Sequence, residues 1–188
     1  MKNYVKRRGF TLVELLIVIV VIGVLSAMML LSSTEASSSA KAAKIISDLT
    51  NLKTAALAYY ADNLYEIIKA EYDVFDHDKA SYDVNVAKVL EYMNGNTADK
   101  IQIAGNGSED YKYSFGSHSA KSGGYWYVWC RVPDMNVRKK LEARADSIGL
   151  VSASKYYRAG PDDVHKLKAS DKDHLYVGLY IRGDEEYK

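Results

Sequence analysis

The hydrophobic pattern changes twice along the first third of the chain. Residues 10–31 are apolar on every side, a run of 22 with a single charge, Glu14. At about 1.5 Å per residue a helix of that length spans ~33 Å, close to a hydrocarbon core of ~30 Å. Residues 32–63 contain no Pro or Gly, and there the pattern becomes one-sided. Ile45, Leu49, Leu52, Ala56 and Tyr59 recur at steps of three and four, and Ile46 and Tyr60 widen the stripe. Lys41, Lys44, Asp48, Lys53 and Asp62 mostly fall outside it. This is an amphipathic helix with one buried face, and it reads as a continuation of the apolar segment. The serine-rich stretch 32–39 is where such a helix would fray.

Beyond residue 63 the pattern shortens. Residues 64–72 and 84–93 read as short helices, the second with Val86, Val89, Leu90 and Met93 on one face and a stop at Asn94, Gly95 and Asn96. Tyr111, Tyr113 and Phe115 alternate with Lys112 and Ser114, a strand period. After a turn at Ser122, Gly123 and Gly124, residues 125–132 form an apolar strand candidate ended by Pro133 and Asp134. Asn136 is placed to cap a helix over residues 137–147, with Val137, Leu141, Ala145 and Ile148 on one side and Gly149 as its stop. Residues 175–182 are a second clear strand. Strands joined by short turns favour an antiparallel sheet. The expected fold class is α+β, a long N-terminal helix packed on a C-terminal antiparallel sheet. The 16 tyrosines suit a sheet with one face on the helix and one face wet.

Charge sharpens the picture at the N-terminus. The formal charge of the chain is +1. Lys2, Lys6, Arg7 and Arg8 precede the apolar run with no acid among them, and without them 21 basic residues face 24 acidic ones. A basic flank stays cytoplasmic, so the C-terminal part of the chain, about 150 residues, is expected outside. The mildly acidic remainder gives no electrostatic reason to expect nucleic acid as a partner. Cys130 is the only cysteine, which excludes an intramolecular disulfide. Its apolar neighbours make it a buried small hydrophobe rather than a reactive thiol.

Three readings of the first 31 residues compete. A secretory signal peptide has a shorter apolar region, and residues 24–27 make a poor cleavage site. A simple signal anchor explains length and orientation but not Glu14, a carboxylate that costs roughly 2.5 kcal/mol or more at mid-depth. The third reading accounts for it. Lys6, Arg7, Arg8, Gly9, Phe10, Thr11, Leu12, Val13 and Glu14 resemble the prepilin cleavage and methylation motif of the type IV pilin family, which includes the type II secretion pseudopilins. The resemblance implies that a prepilin peptidase cuts between Gly9 and Phe10 and N-methylates Phe10. It also implies that Glu14 acts in assembly, where it meets the new amine of a neighbouring subunit. An amine and a carboxylate are each costly in an apolar setting and attract strongly when paired. The implied organisation is a leader over 1–9, a transmembrane and assembly helix over 10–31, its amphipathic continuation over 32–63 and a globular head over 64–188. The implied place is the bacterial inner membrane, single-pass, then an extracellular or periplasmic filament. Partners would be the peptidase, other pilin subunits and the inner membrane. Gly23 suits local unwinding or close helix packing, and the proline that many type IV pilins carry further along is absent.

The head offers no nucleophile motif or phosphate loop. His77, His118, His165 and His174 lack ligand spacing. Major pseudopilins often bind calcium in the head, which makes Asp162, Asp163, Asp171 and Asp173 calcium candidates. Their spacing is not that of an EF-hand, and solvated loops account for them more simply. Arg138, Lys139, Lys140 and Arg144 form a small basic set that reads as the wet face of a helix. The sequence therefore points to a structural filament subunit, not an enzyme. A minor pilin or pseudopilin whose head binds a surface, DNA or secreted cargo is the alternative.

Overall fold

The computed structural model describes residues 9–64, 67, 75, 81–93, 95–98, 101–103, 109–118, 125–154 and 163–182. The expected short helix over 64–72 therefore lies mostly outside the described residues, as does the turn at 122–124. The chain divides into two units, Met1–Ser37 and Ser38–Lys188.

The first element, α1, is a helix over Leu12–Asp62, 51 residues long. Neither Gly23 nor the serine-rich stretch breaks it, because an isolated glycine costs a helix only ~1 kcal/mol and serine less. In the first unit every large apolar side chain from Leu12 to Leu30 is 49–79% exposed. This helix is long and apolar enough to cross a membrane. Within the protein that surface has no core to join, and its burial must come from outside.

The second unit supplies its own core. Ala42, Ile45, Leu49, Leu52, Ala55, Ala56 and Tyr59 of α1 are buried, with Ile46 and Tyr60 packed beside them. Among the described residues two helices follow, α2 over Ser81–Glu91 and the single turn α3 over Gly95–Ala98. Val86 and Val89 of α2 join the core. This helix starts three residues earlier than the expected residue 84, and Gly95, expected within the stop, opens a further helical turn.

Five strands form one antiparallel sheet: β1 (Tyr113–His118), β2 (Tyr125–Arg131), β3 (Leu150–Ala153), β4 (Val164–Lys166) and β5 (Tyr176–Arg182). Their order is β1-β2-β5-β3-β4, so the latest strand in the chain lies at the centre. A fourth helix, α4 (Met135–Ile148), connects β2 to β3. Phe115, Val128, Cys130, Val177, Leu179 and Leu150 face the helices, where Val137, Leu141 and Ala145 of α4 meet the α1 stripe in one cluster.

The opposite sheet face departs from expectation, for its centre is not wet. Tyr127 and Trp129 are completely buried there and stack with centroids 5.1 Å apart, beside Tyr180 and Ala153. Gly178 explains how an indole lies flat on this face. It pairs with Trp129 across the ladder, and a β-carbon at Gly178 would stand 2.3 Å from the Trp129 ring and 2.2 Å from the Val128 carbonyl oxygen. Only glycine leaves that space. With both faces covered, β2 reads as a continuous apolar run instead of an alternating one.

The cap of α4 is also shifted from the expected position. Asp134, not Asn136, is the N-cap: its carboxylate accepts the Asn136 N–H at 2.8 Å. Asp134 follows Pro133, which ends the strand, so its extended backbone places the carboxylate over the first turn. Gly149 closes the helix in the left-handed conformation (φ 79°), its N–H donating to the Ala145 carbonyl at 2.8 Å.

Candidate functional site

The N-terminal site is built by a helix cap. Phe10 and Thr11 precede α1, and Thr11 occupies the capping position. Glu14 Oε2 accepts from both the Thr11 N–H and the Thr11 hydroxyl at 2.8 Å, and Thr11 Oγ1 accepts the Glu14 N–H at 3.2 Å. This reciprocal pattern is a capping box, which satisfies backbone donors that a helix start leaves open. It offers the carboxylate two donors from its own chain at a depth where an unpaired one is costly. In the uncut chain Phe10 lies outside the helix, so it and Glu14 do not share a helical face. The Thr-x-x-Glu spacing is the sequence signal for this cap. Gly9 and Phe10 are both exposed, Phe10 at 86%, and a β-carbon at Gly9 would meet nothing within 4 Å. The peptide bond between them is open to an approaching enzyme.

In the head, a buried polar link ties α1 to the sheet. Asp48, although outside the expected stripe, is buried; it accepts the Tyr113 hydroxyl at 2.8 Å and pairs with Lys44 at 2.5 Å. Burial raises the Tyr113 phenol far above its ordinary range, with Cys130 and Asp48 adding to the effect. Tyr113 is thus a fixed donor. Cys130 is fully buried, and burial, with Asp48 nearby, pushes its thiol up to about 12, so it packs as a hydrophobe.

Arg138 does not belong to a wet basic face. It is buried, with Nε donating to the Ala169 carbonyl at 3.1 Å and an Nη donating to the carbonyls of Val132 and Pro133 at 2.7 and 2.8 Å. These carbonyls lie where β2 has ended and the ladder no longer serves them. One guanidinium fork reaches all three, which a lysine would not. Glu142, one turn on, accepts the Ala169 N–H at 3.1 Å, so two side chains of α4 hold both polar groups of that residue. Lys139 and Arg144 are exposed and Lys140 is half-buried.

The calcium candidates are not gathered into one cage among the described residues. Asp162 lies outside them. Asp171 turns its carboxylate onto its own loop, accepting from the backbone of Asp173 at 3.0 Å and His174 at 3.3 Å, with His174 Nδ1 at 2.6 Å. These bonds, led by the Asp173 N–H, hold the Asp171 carboxyl below its usual range. Asp173 is exposed, and Asp163 lies just before β4. His165 and His174 meet edge to face at 4.7 Å. No group of three or more His, Cys, Asp or Glu side chains suited to a metal occurs among the described residues. His77 lies outside them.

Residues 5–30 match the family model of the prokaryotic N-terminal methylation motif. With the long apolar helix and the antiparallel sheet, the match supports a prepilin-type, type IV pilin-like reading of the chain. It ends at residue 30 and carries no information about the head. Comparison with curated proteins and with solved structures gave no match.

Proposed function

We propose that this chain is a structural subunit of a type IV pilus-like filament. A prepilin peptidase removes residues 1–9, Phe10 becomes the N-methylated first residue, and subunits leave the inner membrane by packing through α1. One observation carries the reading. The methylation motif opens a helix whose first half exposes every large apolar side chain from Leu12 to Leu30 and has no core of its own. Lipid covers that surface before assembly, and neighbouring helices replace the lipid afterwards. The role is polymerisation, and catalysis has no part in it.

Glu14 has a definite task in this scheme. Before assembly the Thr11 cap satisfies its carboxylate. In the filament the amine of a neighbouring Phe10 offers a full charge, a stronger partner than two neutral donors. Mass spectrometry of the mature protein should find a chain that begins at methylated Phe10. Glu14→Ala should leave the cut intact and lower filament yield at least tenfold, roughly the cost of leaving one buried amine unpaired. A mature chain that still begins at Met1, or wild-type yield from the variant, would sink the proposal.

A further inference from the structure

The head carries a cationic cavity that the polymerisation scheme has not used. It has a volume of about 390 Å³ and is lined by Lys41, Lys44, Ile45, Gln102, Tyr111 and Tyr113. Among the described residues, two lysines and no acid line it. Lys44 is already neutralised by Asp48. Lys41 is exposed and has no carboxylate partner among the described residues; its Nζ stands 5.5 Å from the centroid of the Tyr111 ring. A cation over an aromatic face is stabilised by only ~0.5–1 kcal/mol at an exposed site, so its charge remains available.

The wall of the cavity is held under strain. Tyr111 has φ 59°, the left-handed region that bulky residues avoid. Two bonds keep this stretch in place: the Tyr111 N–H donates to the Arg131 carbonyl at 2.8 Å, and the Tyr113 N–H donates to the Gln102 carbonyl at 2.9 Å. Strain of this kind costs ~1–3 kcal/mol and gathers at ligand clamps. Here it sets the Tyr111 ring against Lys41.

The charge pattern of α1 names an occupant. The helix carries three lysines, Lys41, Lys44 and Lys53, and four acids, Glu14, Glu35, Asp48 and Asp62. Glu14 is engaged by Thr11, Asp48 by Lys44 and Tyr113. Asp62 lies beside the Tyr92 hydroxyl and raises its pKa. Glu35 alone is left, exposed and without a partner among the described residues. In a filament packed through α1, Glu35 would be shut between helices, where an unpaired carboxylate is unfavourable. Among the described residues, Lys41 is the lysine of α1 that lines the cavity without a carboxylate partner.

We infer that this cavity receives the Glu35 carboxylate of a neighbouring copy, which pairs with Lys41 against the Tyr111 and Tyr113 rings. The inference rests on the filament reading above. The pair adds a second charged register mark, beyond the apolar segment, to the one that Glu14 makes within it.

The test uses the full chain assembled by its own machinery. Glu35→Cys and Lys41→Cys are combined, and sheared filaments are oxidised with copper phenanthroline. Cys130 is fully buried and stays silent. Disulfide-linked dimers and longer ladders should form in the double variant and in neither single variant. In parallel, Glu35→Lys and Lys41→Glu should each cut filament yield about tenfold through like-charge contact, and the two together should restore most of it. Double-cysteine filaments that assemble but do not cross-link would overturn the pairing while leaving the filament reading intact. So would a charge swap that recovers nothing. A wild-type chain that never leaves the membrane would instead overturn the filament reading, and this pairing with it.

Discussion

The two halves of α1 are made of the same secondary structure and stabilised in different ways. Residues 38–62 present one apolar stripe to a core of their own unit, where Leu49 and Leu52 are fully buried. Residues 12–30 are apolar on every side, and each large apolar side chain among them keeps about half or more of its surface exposed. The lesson is that helical pattern and helical stability are separate matters. A one-sided stripe needs a partner within the chain, and an all-round apolar helix needs a solvent that suits it.

Matched substitutions would break this comparison most sharply. Leu49→Ala should cost the head ~2–5 kcal/mol, as cavities in a packed core do. Leu16→Ala should leave the unfolding midpoint of the head unchanged. Urea unfolding followed by tryptophan fluorescence reads both, since Trp126 and Trp129 are buried in the head. Equal losses from the two variants would mean that the halves are energetically one unit.

Arg138 gives a smaller, more specific test. Arg138→Met should cost ~2–3 kcal/mol in the same assay, because three buried carbonyls lose a charged donor. Arg138→Lys should recover little, since one ammonium cannot span the fork. Full recovery by lysine would show that charge alone matters there.

The smallest effect concerns pH. The Asp171 carboxyl is held below its usual range by the Asp173 N–H and by His174. A depressed folded pKa gives stability that is complete above the ordinary Asp range and is lost as pH falls through the depressed value. Asp171→Asn should therefore flatten the acid limb of the stability curve and change little near neutrality. A steeper acid limb in the variant would reverse the sign.

Much of this was legible in the sequence, and the failures have physical causes. The α1 stripe, β2, β5 and the stop at Gly149 follow from period and turn chemistry, which are local. Cys130 was legible from its apolar neighbours. Arg138 was not, because a basic helix residue looks solvated until the carbonyls that it serves are brought to it by the chain reversal after β2. The buried second face of the sheet was hidden for a similar reason. Tyr and Trp suit wet and dry faces alike, and only the glycine opposite Trp129 separates the cases. At the other end, the Thr11–Glu14 cap was present in the spacing, while the assembly role proposed for Glu14 lies beyond a single chain.

The central place of β5 has a consequence for synthesis. Until Tyr176–Arg182 is delivered, the head holds two separate hairpins, β1–β2 and β3–β4, each with an open inner edge. Such edges invite pairing with other chains. The nascent head therefore stays vulnerable from the completion of β2 until β5 is delivered, at ~5–20 residues per second, while α1 has long been complete. Closure comes late and at once, when one ribbon fills the gap and joins both hairpins.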